Sequence, residues 1–186
     1  MKEDILILVD KNDNEIGYNE KMNVHIKGQL HRAFSLFIYD NNKKQVLLHR
    51  RALGKYHSGG LWTNSCCSHP RKGEQLLDAV IRRSAEELGI NIKQYEKCII
   101  EIGKFYYYKK FENCAEHEID HVFVLIVNQG FLIKPNPNEI DDIKWISLED
   151  LDVWISNESE IFTSWFSEAY GIFCNHISQI DDDNNV

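Results

Sequence analysis

Short runs of apolar or alternating apolar and polar residues recur along this chain, and they are rich in Ile, Val, Phe and Tyr. Such runs predict β-strands, because β-branched and aromatic side chains suit a pleated surface. The predicted strands span residues 4–9, 32–40, 45–49, 61–67, 97–108, 118–127 and 143–146. Asp13-Asn14 and Asp40-Asn41 predict turns between strands. The pattern therefore predicts a substantial β-sheet.

Three segments have helical spacing instead. From Glu74 to Leu88 the apolar residues recur every three or four positions, and Gly89 follows where helices commonly end. Ser147 begins a sequence that resembles a capping box, and a third helix is predicted over about 159–176. The residues from about 178 to 186 form a polar tail, and no internal repeat or linker divides the chain. We predict one α+β domain over residues 1–186, with a mixed β-sheet flanked by helices.

Charge and composition narrow the choice of partners. The net charge of −8 disfavours nucleic acid or an anionic membrane as the main partner. The apolar runs are too short to cross a bilayer, and no leader sequence is visible at the N-terminus. We expect a cytoplasmic protein that is a monomer or weak dimer. Five cysteines without a Cys-x-x-Cys pair predict free thiols. Cys98, Cys114 and Cys174 lie in or beside apolar stretches, so we expect them to be buried.

Several histidines and glutamates could converge on a metal ion. Glu116 and Glu118 are two residues apart, so on a strand both carboxylates project from one face, whereas His117 points the other way. Cys67 and His69 have the same spacing. A set of imidazole nitrogens and carboxylate oxygens is typical of a six-coordinate divalent metal ion and not of a four-cysteine zinc site. The candidate ligands are His25, His31, His69, Glu116 and Glu118.

Residues 68–90 resemble the Nudix box, a loop–helix–loop signature that holds divalent cations against a diphosphate in Nudix hydrolases. Two positions depart from that box. Ser68 stands where it has Gly, and Arg83 stands where it has a metal-binding Glu. The second change removes a ligand and adds a cation, so the resemblance implies the fold and puts hydrolysis in doubt. The matching residues are Glu74, Arg82, Glu86, Glu87, Gly89 and Ile90.

Together the segments resemble the type 1 isopentenyl-diphosphate isomerases, a branch with the Nudix fold that does not hydrolyse its substrate. The most specific piece is the run Leu61-Trp62-Thr63-Asn64-Ser65-Cys66-Cys67-Ser68-His69-Pro70. The other matching pieces span roughly residues 5–170, and they include Val24-His25, Leu30 to Ser35, Arg50 to Leu53, Arg82 to Gly89 and Glu116 to Asp120. The resemblance implies a Nudix-like α/β/α sandwich.

This resemblance also implies a reaction and its residues. The family interconverts isopentenyl diphosphate and dimethylallyl diphosphate, which requires an acid and a base on opposite faces of a dry pocket. Cys67 and Glu116 match that pair. Tyr106 matches a tyrosine that assists proton delivery, although one deletion within the run Tyr106-Tyr107-Tyr108 would select Tyr107. Trp165 matches an indole whose ring face attracts the cationic intermediate.

The remaining matches concern the diphosphate and its metal ions. Lys21, Arg51, Lys55 and Arg83 match the positions that grip the diphosphate. Glu87 matches the ligand of a Mg²⁺ ion that bridges to the diphosphate, and it shares a helix face with Arg83. The His/Glu site implies a second divalent metal, which is Mn²⁺, Mg²⁺ or Zn²⁺. The departure at Arg83 therefore places a cation where it serves the same substrate.

Two other functions stay open at this point. A Nudix hydrolase of a small diphosphate needs the complete glutamate cluster, and it gives no role to Cys67 or Trp165. A non-catalytic metal-binding or thiol-sensing module would explain Cys67 and the histidines, but not the basic residues near Glu87.

Overall fold

The computed structural model describes residues 4–183 of the chain, and side chains within residues 4–180. The strands there are β1 Ile5–Val9, β2 Glu15–Glu20, β3 His31–Asp40, β4 Gln45–Arg51, β5 Trp62–Thr63, β6 Cys66–Ser68, β7 Ile99–Lys110, β8 Ala115–Val127 and β9 Ile140–Ser147. The α-helices are α1 Lys21–Lys27, α2 Leu76–Arg83, α3 Leu148–Asn157 and α4 Phe166–Asp183. A π-helical turn, Ser84–Leu88, continues α2, and short 3-10 turns span Lys93–Cys98 and Ser159–Ile161.

Strand β3 organises a mixed sheet. It runs parallel to β8 over its full length and antiparallel to β1, β4 and β6. Strand β7 adds to β8, β9 adds to β4, and β2 adds to β1. Because β6 and β8 both pair with β3, their side chains meet above the same part of the sheet. That arrangement positions the candidate site.

Hydrophobic clusters cover both faces of this sheet. On one face, Phe34 and Leu36 of β3 pack with Val80 of α2 and Leu88 of the π-helical turn. On the other face, Phe37 and Tyr39 pack with Phe166 and Phe173 of α4. Each large aromatic side chain removed from water stabilises the fold by roughly 1.5–3 kcal/mol. The layers are helix, sheet and helix, so the predicted α+β class and α/β/α sandwich are confirmed.

The end of the α2 segment sets the position of Glu87. Gly89 has φ 67°, and a Cβ atom there would lie 2.4 Å from the Lys134 carbonyl oxygen. Only glycine accepts both the left-handed backbone and this close approach at low cost. The Asn136 amide then donates to the Glu87 carbonyl oxygen at 2.8 Å. The predicted helix end at Gly89 is confirmed, and the last turn is π-helical rather than α-helical.

Several element boundaries differ from the prediction. Strand β2 and helix α1 were not predicted, because β2 is half exposed and α1 is too short for a clear helical period. The predicted strand 61–67 is two strands with different partners, β5 on β4 and β6 on β3. The last helix begins at residue 166 rather than 159 and continues to residue 183, through part of the predicted polar tail. Residues 184–186 of that tail lie outside the described residues.

The expectation that three cysteines are buried was wrong for Cys98, which is exposed, while Cys114 and Cys174 are half-buried. Cys98 ends a 3-10 turn before β7 instead of lying inside the strand predicted there. Among the described helices, none is long and apolar enough to cross a membrane.

Candidate active site

A polar cavity lies where β6, β8 and the α2 segment face one another. It is lined by most of the predicted site residues: Lys21, Arg51, Lys55, Cys67, His69, Arg83, Glu87, Glu116, Glu118 and Trp165. The sequence separates these residues by up to 144 positions, from Lys21 to Trp165. The fold therefore brings a dispersed set of candidates to one place.

Strand pairing puts the thiol and the carboxylates on the same side of the sheet. Cys67 of β6 lies opposite Ser35 of β3, and Glu118 of β8 pairs with His31 at the start of β3. Side chains two residues apart on a strand share a face, so Glu116 joins Glu118 in the cavity. His117 turns to the opposite face, as predicted.

Helix α1 brings the remaining imidazole to this group. Glu20 accepts hydrogen bonds from the Met22 and Asn23 amides at 2.9 Å and so starts the helix, and Gly28 ends it with φ 59°. His25 in the last turn is fully buried. Its Nε2 atom lies 3.4 Å from Glu116 Oε1.

Three imidazoles and two carboxylates form a compact ligand set. The ligand atoms of His25, His31, His69, Glu116 and Glu118 all lie within 4.8 Å of one another. His31 Nε2 is 3.4 Å from Glu118 Oε1, and His69 Nε2 is 2.8 Å from the same oxygen. Adjacent ligands of a six-coordinate ion with bonds near 2.1 Å lie about 3 Å apart. The spacing suits such an ion.

The hydrogen bonds behind the cluster orient two of its imidazoles for a metal ion. The Nδ1 atom of His25 bonds to the Lys21 carbonyl oxygen at 2.7 Å, and that of His31 bonds to the Gln29 carbonyl oxygen at 2.8 Å. A carbonyl only accepts, so each Nδ1 carries the hydrogen and each Nε2 keeps its lone pair. Both Nε2 atoms are buried without a hydrogen-bond partner among the described residues. These residues fit a divalent metal ion.

Burial keeps the cluster in a form that can bind a cation. Burial and the neighbouring His25 together lower the pKa of His31 to about 4. Burial opposes ionisation of Glu116, but hydrogen bonds from Glu118 and His57 outweigh it and hold the pKa of Glu116 well below its usual range. Burial and the charge of Glu116 raise the pKa of Glu118 well above its usual range. Of the two carboxyl groups, Glu116 is therefore the stronger acid.

Cys67 lies beside the Arg51 guanidinium in the cavity wall. Its Sγ atom is 3.9 Å from Arg51 Nη1, and the same guanidinium lies over the Trp165 ring at 5.3 Å from the centroid. Burial raises the pKa of the Cys67 thiol to about 11, although Arg51 lowers it. The thiol is therefore protonated at neutral pH. Trp165 is 4% exposed and lies just before α4 rather than within the predicted helix.

Basic side chains gather at another part of the cavity wall. Burial lowers the pKa of Lys21, and the nearby charges of Lys55 and Arg83 lower it further. Glu139 holds two of these cations, with its Oε2 at 2.5 Å from Lys55 Nζ and its Oε1 at 3.5 Å from Arg83 Nη2. Arg83 also pairs closely with Glu87. Such clustered cations suit a multiply charged anion.

Tyr106 was predicted as a site residue, but its side chain does not reach the cavity. Its side chain is 54% exposed, and its hydroxyl lies 2.8 Å from Nε2 of His117 on the outer face of the sheet. Tyr107, the alternative, lies opposite Glu118 and is buried, with its ring centroid 6.1 Å from that of Trp165. A period of two places neighbouring tyrosines on opposite faces, so a register error of one residue reverses the assignment.

Sequence reasoning missed other residues of the cavity wall. His57 closely contacts Glu116, and Glu139 bridges two cations. Asp120 accepts a hydrogen bond from Ser35 at 2.8 Å and follows Glu118 by two residues, which was a usable signal. His57 lies in the loop between β4 and β5, and Glu139 lies directly before β9. At neither position does a periodic pattern indicate the direction of the side chain.

The fold and the cavity agree with what this chain is similar to. A family model described as the NUDIX domain matches residues 29–166. A Deinococcus radiodurans protein of known structure superposes with a TM-score of 0.66 at 20% identity, covering 82% of this chain and 89% of that one. A MutT protein of Methanosarcina mazei superposes with a TM-score of 0.59 at 19% identity, covering 79% and 94%. At these identities the superpositions show the fold alone, and together with the family model they define a NUDIX-domain protein.

Sequence relatives narrow this class. Isopentenyl-diphosphate Delta-isomerase 2 of Photorhabdus laumondii is 44% identical over 167 residues, which are 89% of this chain and 90% of that protein. Isopentenyl-diphosphate Delta-isomerase of Photobacterium profundum is 42% identical over 181 residues, which are 95% and 97%. The chain belongs to the isopentenyl-diphosphate Delta-isomerase family. The predicted resemblance is confirmed.

Proposed function

We propose that this protein interconverts isopentenyl diphosphate and dimethylallyl diphosphate by moving a carbon–carbon double bond through one position. The observation that carries the proposal is a single cavity that combines a protonated thiol, a metal-binding carboxylate cluster and a group of cations. The relatives named for this activity support it, and they favour it over a hydrolase.

The proposed reaction requires one proton donor and one proton acceptor at the alkene. An unactivated alkene is a poor base, so an acid must deliver a proton to one end and a base must remove a different proton from the other. We assign these roles to Cys67 and Glu116. They belong to β6 and β8, which lie on either side of β3 and so approach the cavity from two directions. The tertiary cation forms between the two transfers.

Aromatic side chains support the cationic intermediate and the proton transfer. We propose that the Trp165 ring face stabilises the positive charge, because the aromatic quadrupole attracts cations. We also propose Tyr107, and no longer Tyr106, as the helper in proton delivery. Its hydroxyl is buried, and the residue lies opposite Glu118 and near Trp165.

We propose that His25, His31, His69, Glu116 and Glu118 hold one divalent metal ion, either Mn²⁺, Mg²⁺ or Zn²⁺. When bound, that ion polarises the carboxylates and neutralises their mutual repulsion. Glu87 is the proposed ligand of a Mg²⁺ ion that binds together with the diphosphate. The buried Nε2 atoms of His25 and His31, which have no hydrogen-bond partner among the described residues, and the buried Glu87 carboxylate support these assignments.

The cation group is the proposed binding site for the diphosphate. Lys55 and Arg83 lie close enough to lower the pKa of Lys21, and an anion bound among the three cations would relieve this repulsion. Arg51 extends this positive region towards Cys67. We further propose that the protein works in the cytoplasm as a monomer or weak dimer, without a nucleic-acid or membrane partner, in keeping with its net charge of −8.

The direct test is incubation of the purified protein with isopentenyl diphosphate and a divalent metal, with separation of the products by chromatography and a parallel phosphate assay. We expect dimethylallyl diphosphate and no released phosphate. Release of phosphate without an isomerised product would replace this proposal with a hydrolase.

A further inference from the structure

Histidine 57 makes contacts that the metal cluster and the cation group do not require. It lies in the loop of residues 52–61 between β4 and β5, and it is 8% exposed. Its Nε2 atom closely contacts Oε1 of Glu116. On this basis we propose that His57 is a positioning residue that fixes the Glu116 carboxylate for metal binding and proton transfer. The inference deepens the proposed function and rests on it.

The hydrogen-bond roles of His57 follow from its two partners. A carboxylate only accepts when ionised, so Nε2 must donate to Glu116. Nδ1 lies 3.1 Å from the Ser58 hydroxyl, which can donate to it. His57 is therefore held by a partner at each nitrogen. A carboxylate oriented in this way needs no rearrangement when a cation or a substrate arrives.

The bond from His57 selects the direction of one oxygen of Glu116. The same Oε1 atom faces Nε2 of His25 at 3.4 Å, and that nitrogen carries a lone pair. A carboxylate oxygen has two lone pairs. One is engaged by His57, so the other remains directed at the space beside His25, where a cation would be shared.

The packing around the ring prevents it from turning away. The His57 ring stacks on Phe111 with centroids 5.0 Å apart, and its edge meets the Trp165 ring at 6.0 Å. Arg51 Nη2 donates to the His57 carbonyl oxygen at 3.4 Å. The ring therefore connects Glu116 to Trp165, the two groups proposed to act at the alkene.

The backbone of this loop is built to hold that position. Ser58 has φ 51°, a left-handed conformation that is unusual for a residue other than glycine. At Gly59 a Cβ atom would lie 2.6 Å from the Leu53 carbonyl oxygen, so no side chain fits there. Local strain of this kind persists only where surrounding contacts impose it. Here it directs His57 towards Glu116.

Two substitutions separate positioning from packing. His57→Phe keeps a flat ring between Phe111 and Trp165 but removes the donor. His57→Gln loses the ring but keeps an N–H group within reach of Glu116. Outer-sphere partners of metal ligands contribute about 10–100-fold in affinity or activity. We expect His57→Phe to weaken Mn²⁺ binding and to lower kcat by roughly that factor, with little change in KM. His57→Gln should recover part of both losses.

Mn²⁺ binding is followed by the electron paramagnetic resonance of the free ion, and folding by thermal unfolding of the metal-free protein. His117→Phe on the outer face of β8 is the matched control, and it should bind Mn²⁺ like the unaltered protein. Wild-type Mn²⁺ affinity in His57→Phe would overturn the proposal, as would equal losses in both variants with no recovery in His57→Gln. The Mn²⁺ measurement does not depend on turnover, so it stands even if the unaltered protein fails to isomerise isopentenyl diphosphate.

Discussion

The Arg51 guanidinium lies 3.9 Å from the Cys67 sulfur, yet burial of the thiol outweighs the attraction that this cation offers to a thiolate. The pKa of Cys67 is accordingly raised to about 11. A thiol in that state can donate a proton at neutral pH, which a low-pKa nucleophilic cysteine would do poorly. This balance has a measurable consequence.

We predict that iodoacetamide labels Cys67 slowly in the metal-free protein. Alkylation needs the thiolate, and a pKa of about 11 leaves roughly one thiol in a thousand ionised at pH 8. The rate should rise about tenfold for each pH unit up to about pH 11. The exposed Cys98 should be labelled first. Mass spectrometry of the two peptides gives both rates.

Substitution of Arg51 tests whether its charge lowers the pKa of Cys67. Arg51→Gln removes a cation that stabilises the thiolate, so it should slow the labelling of Cys67 further. Arg50→Gln is the matched control, because the Arg50 guanidinium pairs with Asp141 at 2.7 Å and not with Cys67. Fast labelling of Cys67 at pH 8 in the unaltered protein would contradict a buried, protonated thiol.

The cation group makes a prediction about substrate binding. Lys55→Gln removes one charge from the proposed diphosphate site, and a hydrogen bond to a charged group contributes about 1.5–3 kcal/mol. We expect KM for isopentenyl diphosphate to rise by about 10–150-fold while kcat changes little, because the proposed role of Lys55 is to bind the diphosphate and not the alkene. Lys97→Gln, on an exposed 3-10 turn, should leave KM unchanged in the same steady-state assay. A loss confined to kcat would place Lys55 in the proton chemistry instead.

Metal binding should be visible in the thermal stability of the protein. An ion at one hundred times its Kd stabilises a folded protein by about 2.7 kcal/mol, which raises Tm by on the order of 5–10 °C for a domain of this size. We expect Mn²⁺ to produce this rise and a chelator to reverse it. His31→Gln should reduce the rise, while His117→Gln should keep it. An equal rise in both variants would place the ion elsewhere.

Substitution can separate the roles of Glu116 and Glu118. Both are proposed metal ligands, so Glu116→Gln and Glu118→Gln should each weaken Mn²⁺ binding. General acid–base catalysis contributes about 10²–10⁴-fold, so at saturating Mn²⁺ we expect Glu116→Gln to keep a loss of kcat of that size. At saturating Mn²⁺, Glu118→Gln should regain more of the unaltered protein's kcat than Glu116→Gln does. The reverse order would give the proton-transfer role to Glu118, which lies opposite Tyr107.

Most of the sheet could be predicted from the sequence because β3, β4 and β8 are buried and contain long apolar runs. Strand β2 is half exposed, and helix α1 has seven residues, so neither has a strong pattern. Helix α1 carries His25 of the site, and β2 leads directly into α1. His25 was predicted from a sequence motif and not from a predicted helix.

The site residues were predictable where a motif or a period of two fixes their direction. Cys67, Glu116 and Glu118 lie on strands, His69 directly follows β6, and all four face the cavity as their spacing indicates. Tyr106 failed because three consecutive tyrosines fit two registers equally well. His57 could not be found, since its direction depends on a strained loop and on contacts with Phe111 and Trp165, which are distant in sequence.

The central claim is that Cys67 exchanges a proton with one face of the alkene. Incubation with isopentenyl diphosphate in deuterated water, followed by mass spectrometry of the recovered C5 diphosphates, tests it directly. The unaltered protein should incorporate deuterium into both isomers. Cys67→Ala should bind Mn²⁺ and the diphosphate normally but incorporate none, while the exposed Cys98→Ala control should behave like the unaltered protein. Deuterium incorporation by Cys67→Ala at the unaltered rate would contradict this account.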